Sequence, residues 1–197
     1  GAATVALGQS DLTSAAKGFT ATTLRNATGI TFDSDGNLWT SDQGNSRILK
    51  YPAANLSTGG AATVALGQSD LTSAAKGTTA TTLRNATGIT FDSSGNLWVA
   101  DEKNQRVLKY PAANLATGGA ATVALGQSDL VTADLGQTYG NSPKTFHNPT
   151  DIAIDSNGNV WISEWNNHRV LKFDTSNLKI GGAATVALGQ TDLTSKT

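Results

Sequence analysis

The stretch Thr87-Gly-Ile-Thr-Phe-Asp-Ser-Ser-Gly-Asn-Leu-Trp-Val-Ala-Asp-Glu-Lys-Asn-Gln-Arg-Val-Leu-Lys-Tyr110 contains three short β-rich runs separated by turn residues. Polar and apolar residues alternate in the first run, which is typical of a strand. Gly95 then supplies the positive φ that a tight hairpin needs. A fourth β-rich run follows a Gly- and Ala-rich connection. We therefore predict four strands, at residues 87–92, 97–100, 106–110 and 121–125.

The same pattern occurs three times along the chain. The segment Gly-Ala-Ala-Thr-Val-Ala-Leu-Gly-Gln begins at residues 1, 60, 119 and 182, at spacings of 59, 59 and 63 residues. A period of this size indicates units that bury their apolar faces against their neighbours, and four short strands per unit describe a propeller blade. We expect an all-β propeller array over 1–197. Its expected parts are an extra outer strand with its connection (1–27), blades at 28–67, 87–126 and 150–189, and a tail (190–197).

Composition and charge exclude several classes of partner. The net charge is −1, with 14 basic and 15 acidic residues and no basic block to attract nucleic acid. No apolar run approaches the 18 residues that a membrane span needs. The chain has no cysteine, which excludes disulfides, thiol catalysis and Cys-ligated zinc. We therefore expect no nucleic-acid partner, no membrane contact and no cofactor. The start Gly1-Ala2-Ala3 lacks signal-peptide features, so we expect a mature form or an excised fragment.

Two runs in the third unit carry a family resemblance. They are Gly-Asn-Val-Trp-Ile-Ser at 158–163 and Asn-Asn-His-Arg-Val-Leu-Lys-Phe at 166–173, with counterparts at 95–101 and 104–110. These runs resemble the NHL repeat, and the recurring Leu-Gly-Gln resembles a bacterial branch with blades of about this length. The resemblance implies a β-propeller, most often six-bladed, that serves as a binding platform. A minority of such relatives are lyases or hydrolases. Propellers of the LDL-receptor type are the second choice, because Leu38-Trp-Thr-Ser-Asp42 resembles their signature.

The number of units predicts self-association. A closed propeller usually has at least four blades, so three blades leave two faces bare, with residues such as Ile30 and Trp161 and open strand edges. We expect two chains to close a six-bladed ring, with a nine-bladed trimer as the less favoured alternative. The outermost strand is present in four copies for three blades. We expect the copy at 184–188 to hold its place, and the copy at 2–7 to be displaced, frayed or exchanged with the partner.

A polar triplet recurs in the turn that follows the second strand of each unit. Such Asp, Asn and Arg side chains can cap turn N–H groups and pair with carboxylates or carbonyls, whereas a catalytic site seldom needs one triplet in every unit. We therefore favour a structural role over a polar binding ring. The triplets are Asp42, Asn45 and Arg47; Asp101, Asn104 and Arg106; and Glu164, Asn167 and Arg169.

The third unit carries the candidate binding residues. Trp165 and Tyr139 are loop aromatics that could form a binding patch or cover the longer loop. His147 and His168 are the only histidines of the chain. A histidine pair would suit zinc binding or acid–base chemistry, but no carboxylates at ligand spacing accompany it, so isolated surface histidines are favoured. The candidate binding face therefore comprises these four residues, with no catalytic motif and no metal site beside it.

We expect a non-catalytic propeller fragment, natural or engineered, that assembles with copies of itself. The first alternative is a protein- or ligand-binding platform of a bacterial surface protein, which predicts a distinctive patch around Trp165 and His168. The second is a lyase or hydrolase with a metal in the central channel. If the protein is natural, we expect it to be secreted or displayed on a bacterial surface.

Overall fold

The computed structural model describes residues 1–131 and 141–195, which form short strands and single-turn 3-10 helices. No helix in these two ranges has the length and hydropathy to cross a membrane. The strands are β1 Ala27–Phe32, β2 Leu38–Asp42, β3 Arg47–Tyr51, β4 Val64–Leu66, β5 Ala86–Phe91, β6 Leu97–Asp101, β7 Arg106–Tyr110, β8 Val123–Leu125, β9 Pro149–Ile154, β10 Val160–Glu164, β11 Arg169–Phe173 and β12 Val186–Leu188. The 3-10 helices are Gln43–Asn45, Ala53–Asn55, Glu102–Asn104, Ala112–Asn114 and Thr175–Asn177.

The strands form three four-stranded antiparallel sheets, each built from four consecutive strands. We call them blade 1 (β1–β4), blade 2 (β5–β8) and blade 3 (β9–β12). In every blade the strands lie in sequence order, so each connection inside a blade is a hairpin or a short loop. The inner strands β1, β5 and β9 of neighbouring blades contact one another. This arrangement is the expected all-β fold of three consecutive four-stranded blades.

The first hairpin of each blade is organised by one aspartate. The Asp92 carboxylate accepts hydrogen bonds from the backbone N–H groups of Ser94 and Asn96 and from the side chain of Asn96, and Gly95 adopts a φ of 76°. The same carboxylate accepts a hydrogen bond of 3.1 Å from the Trp98 indole, which fixes that ring on the strand. Hydrogen bonds from the Asn159 side chain and the Trp161 indole, the largest influences, lower the pKa of the equivalent Asp155 to about 2. The spacing of Asp, Gly, Asn and Trp that recurs in the three blades therefore serves to form the turn.

The outermost strands are shorter than the sequence pattern predicts. β4 begins at Val64, whereas a strand from residue 62 was expected. The reason is that the Ala62 N–H donates to the carbonyl of Ala21, in the connection before blade 1, and so leaves the ladder. The expected N-terminal strand at 2–7 is absent, and residues 1–26 contain no strand. An outermost strand pairs with the third strand of its blade, and no such strand of a preceding blade lies beside residues 1–26 in the described part of the chain.

The apolar core lies between the blades. Trp39, Ile48 and Leu66 of blade 1 pack against Leu108 and other residues of blade 2, and all four side chains are fully buried. The next joint repeats this packing with Trp98, Val107 and Leu125 of blade 2 against blade 3. Blades 1 and 2 thus each offer one tryptophan, one β-branched residue and one leucine to the blade that follows, and burying such side chains contributes about 1.5–3 kcal/mol each.

Two tyrosine hydroxyls in this core lack a hydrogen-bond partner among the described residues. They belong to Tyr51 and Tyr110, and Phe173 occupies the same position in blade 3. Burial raises the pKa of Tyr51 to about 12 and raises that of Tyr110 as well. A buried hydroxyl without a partner carries a desolvation penalty of about 1–3 kcal/mol.

We therefore expect Tyr110→Phe to stabilise the protein by about 1 kcal/mol, because it removes only the unpaired hydroxyl. Urea denaturation measures this change, and Phe173→Tyr is the reciprocal variant, which should lose stability. A loss of more than about 1 kcal/mol in Tyr110→Phe would show that the hydroxyl has a partner and would contradict the prediction.

Candidate functional site

The polar triplets are buried clamps inside the blades. In blade 1 the Arg47 Nε donates to Asp42 Oδ2 at 2.7 Å, and both side chains are fully buried. Asn45 donates to the same carboxylate at 2.8 Å and to the carbonyl of Gly18 at 2.7 Å. The guanidinium donates further hydrogen bonds to backbone carbonyls on both sides of the blade, those of Phe19, Thr20, Thr23 and Leu71. The triplet therefore fastens two connecting segments to one blade.

The other two triplets repeat this geometry. Arg106 pairs with Asp101, and Arg169 pairs with Glu164, and the fully buried carboxylates also accept a backbone N–H from the residues Arg84 and His147. Burial raises the pKa of Asp101, against the opposing influences of the guanidinium and the N–H donors. The charged side chains of the triplets are buried in these internal hydrogen bonds and ion pairs. The three triplets therefore do not form a polar ring on the propeller surface.

The structure describes three of the four residues of the predicted binding face. Trp165 is 70% exposed and His168 is exposed, whereas His147 is half-buried, with its Nε2 2.8 Å from the Asn166 side-chain nitrogen. Tyr139 lies outside the described residues. Within 1–131 and 141–195, no three or more His, Asp and Glu side chains are grouped closely enough to hold a metal ion. The Trp165 N–H donates to the carbonyl of Asn148 and the Asn166 N–H donates to that of His147, so the segments that carry His147 and Trp165 are adjacent.

The two unmatched blade ends are the distinctive feature of this structure. At the blade-1 end, Ile30 is 69% and Phe32 is 56% exposed, whereas Ile89, which occupies the position of Ile30 in blade 2, is 6% exposed. At the blade-3 end, Leu188 is 51% exposed, although its counterpart Leu66 is fully buried. Trp161 and Val170 complete that end and are half-buried. The two ends carry the same classes of apolar residue as the two sides of an internal joint.

Polar contacts at the internal joints assign roles to residues that sequence reasoning missed. The Asn148 N–H donates to Gln105 Oε1 at 2.6 Å, and Gln105 Nε2 donates back to Asn148 Oδ1 at 3.0 Å. At the previous joint the Asn85 N–H donates to Ser46 Oγ at 3.3 Å. His168 occupies the position of Gln105 at the blade-3 end, and both have positive φ values. The signal in the sequence is the repeat register, which aligns 46, 105 and 168.

The residue that corresponds to Asn148, the bonding partner of Gln105, lies for His168 at the other end of the chain. Asn26 has a φ of 55°, as Asn148 does, and occupies the same position before the first strand of its blade. It is exposed, whereas its counterparts at the internal joints are half-buried. A joint between the two ends would place the His168 ring beside the Asn26 N–H. A neutral imidazole nitrogen can accept that hydrogen bond.

The inner strands approach one another closely at the internal joints. A Cβ built on Gly88 would lie 2.5 Å from the Asp151 Cα of the next blade, and one built on Gly29 would clash with the Thr87 carbonyl oxygen. Close approach of these strands therefore requires glycine. Asp151 stands at the equivalent position of blade 3 and is exposed. A joint made at the blade-3 end must consequently hold its inner strands farther apart than the internal joints do.

The architecture and its joints define the class of the protein: a β-propeller array of consecutive four-stranded blades. Three stretches, residues 24–51, 83–110 and 146–173, match the NHL repeat. Each covers the first three strands of one blade. The chain therefore contains three NHL repeats.

Comparison with known proteins places the chain beside several propellers. It is 29% identical over 90 residues to a probable peptidyl-alpha-hydroxyglycine alpha-amidating lyase of Caenorhabditis elegans, a match that covers 44% of this chain and 22% of that protein. The structure of a streptogramin B lyase has a TM-score of 0.52 at 16% identity, over 84% of this chain and 41% of that one. A virginiamycin B lyase from Staphylococcus aureus gives a TM-score of 0.52 at 16% identity, over 88% and 46%. The chain spans less than half the length of these relatives, and the structural likenesses show the fold alone.

Proposed function

We propose that this chain is a self-assembling half-propeller, in which two copies close one six-bladed ring by joining the blade-3 end of each to the blade-1 end of the other. The observation that carries the proposal is the match between the apolar faces of these ends and those of the internal joints. The blade-3 end offers Trp161, Val170 and Leu188, the same three residue classes that each internal joint buries. The blade-1 end offers the exposed Ile30 and Phe32 that such side chains cover elsewhere.

The size of the open surface supports association. Of the five large apolar side chains at the two ends, Ile30, Phe32 and Leu188 are more than half exposed, and covering each of these contributes up to about 1.5–3 kcal/mol, before the losses of translational and rotational freedom. A two-fold ring contains two such joints, so the gain is made twice for one association event. A head-to-tail joint that did not close would instead leave two ends bare and continue into a chain of copies.

The ring proposal predicts a dimer in solution. Light scattering coupled to size-exclusion chromatography should give twice the chain mass of 20.2 kDa. Ile30→Asp should shift the protein to the monomer, because it places a charge in the apolar joint. Val131→Asp is the matched control, since Val131 is 62% exposed and lies outside both ends. A wild-type protein that stays monomeric at all concentrations contradicts the proposal, and a mass of three chains supports the nine-bladed alternative.

The relatives named as lyases support a second candidate function, a metal-dependent lyase with its site in the central channel. The inner strands of the three blades line a cavity of about 370 Å3, in which Asp151 is the one charged lining residue of the described part. A closed ring would place two such carboxylates in one channel. Elemental analysis of the assembled protein distinguishes this candidate, since bound metal that a chelator removes would support it and a metal-free ring would favour a purely structural module.

A further inference from the structure

Residues 1–9 lie against blade 1 in the position that the last strand of a preceding blade would hold. The Ala6 N–H donates to Thr58 Oγ1 at 3.1 Å, and the Gly59 N–H donates to the Ala6 carbonyl at 3.3 Å. The joint between blades 1 and 2 has the same two bonds, one repeat further along the chain. There the Ala65 N–H donates to Thr117 Oγ1 at 3.1 Å, and the Gly118 N–H donates to the Ala65 carbonyl at 3.3 Å.

The apolar contacts of this segment also repeat the internal joint. Leu7 packs on the blade-1 cluster that contains Leu24, Leu49 and Tyr51, as Leu66 packs on the corresponding cluster of blade 2. Gly8 has a φ of 79° and lies directly under Leu24, so a Cβ there would clash with that side chain. Gly67 and Leu83 make the same contact at the internal joint. Residues 1–9 are therefore packed against blade 1, although they form no strand.

The ring requires another segment in the same place. Residues 1–9 and 182–190 have the same sequence, Gly-Ala-Ala-Thr-Val-Ala-Leu-Gly-Gln. In the proposed dimer, residues 182–190 of the second copy would lie where residues 1–9 lie now. Two segments cannot fill one volume, so closing the ring displaces one of them.

We infer that residues 1–9 form an internal plug of the blade-1 end, which the last strand of a second copy must displace for two chains to join. This inference rests on the proposed ring. The plug supplies Leu7 alone, whereas the blade-3 end of a second copy brings a tryptophan and a β-branched residue as well. The plug has the advantage of being tethered to its site, which gives it a high effective concentration.

The bonds made by the two glutamines show which segment yields. Gln190 donates to the carbonyls of Asn167 and His168 in its own blade, and β12 pairs with β11 along its whole length. Gln9 makes neither contact and donates instead to Ala16 in the connection that follows it. Residues 182–190 would lose a sheet ladder on displacement, whereas residues 1–9 would lose one backbone–backbone bond, one bond to the Thr58 hydroxyl and the packing of Leu7 and Gly8. The N-terminal copy is therefore the one that leaves.

Two identical substitutions in identical sequence contexts test the plug. Leu7→Asp should loosen it and lower the dissociation constant of the dimer by about tenfold or more, because a competing internal occupant reduces apparent affinity in proportion to its occupancy. Leu188→Asp should raise the same constant by at least as much, because it places a charge in the joint. Sedimentation of full-length variants over a range of concentrations measures both. A dimer that Leu7→Asp weakens and Leu188→Asp spares would overturn the inference, since the N-terminal segment would then be exchanged between chains.

Hydrogen exchange separates failure of the plug from failure of the ring. In monomeric protein the Gly59 amide should be protected by its bond to Ala6 and should lose that protection in Leu7→Asp, while Gly118 in the equivalent internal bond stays protected. If every variant is monomeric but Gly59 responds in this way, the plug stands and the ring is wrong. An unprotected Gly59 in the wild-type monomer would refute the plug, whatever the dimer does.

Discussion

Replacing Arg106 by methionine is expected to lower the free energy of unfolding by about 3–5 kcal/mol, the range for breaking a buried ion pair from one side. Arg106 is fully buried, and its guanidinium bonds to Asp101 and to four backbone carbonyls, those of Thr78, Thr79, Thr82 and Leu130. Methionine fills much of the volume but donates no hydrogen bond. The variant therefore leaves a buried carboxylate without its cation and frees both connections that flank blade 2.

Urea denaturation followed by circular dichroism measures this loss, and Lys109→Met is the matched control. Lys109 also faces a carboxylate, Asp92, but at 3.7 Å and with a quarter of its side chain exposed. Its replacement should change stability by less than about 1 kcal/mol. The double variant Asp101→Leu with Arg106→Met should recover part of the loss, because it removes the unpaired charge. Equal effects of the two single variants would contradict the role assigned to the triplet.

The strand pattern of this fold could be predicted from sequence because it is local. The alternation in residues 87–92, the glycine at 95 and the tryptophan at 98 each determine conformation over a few residues. The ends of the outer strands could not be predicted in the same way. Their first residues are drawn from the ladder by a distant partner, such as the Ala21 carbonyl that accepts from Ala62. Such a competition between two hydrogen-bond acceptors leaves no trace in the local pattern.

The candidate site was less accessible to sequence reasoning. Trp165 and His168 attract notice by their residue type. That type does not show that His168 occupies the repeat position of Gln105, whose side chain bonds to the next blade. That relation needs the repeat register together with the contact geometry of an internal joint. The position of residues 1–9 was similarly ambiguous, because four identical segments compete for three strand positions and only packing decides among them.

The second large effect is expected at Trp98, and Trp161 provides its control within the same chain. Trp98→Ala should lower the free energy of unfolding by about 3–5 kcal/mol, the usual range for truncating a buried aromatic. The ring is fully buried between blades 2 and 3. Trp161 has the same local contacts, an indole bond of 3.1 Å to the turn aspartate and a lysine 5.8 Å above the ring, against 3.1 Å and 5.5 Å for Trp98. The two residues differ in that blade 3 covers Trp98, whereas no blade follows Trp161 in the described part of the chain.

Trp161→Ala should therefore cost the monomer clearly less than Trp98→Ala, and should instead raise the dissociation constant of the dimer. Denaturation at low protein concentration isolates the first effect, and sedimentation at high concentration isolates the second. Because the local bonds are matched, the difference between the two variants reports the contribution of a neighbouring blade alone. Equal losses in the monomer would mean that Trp161 is already covered within its own chain, and the blade-3 end would then have no tryptophan to offer a second copy.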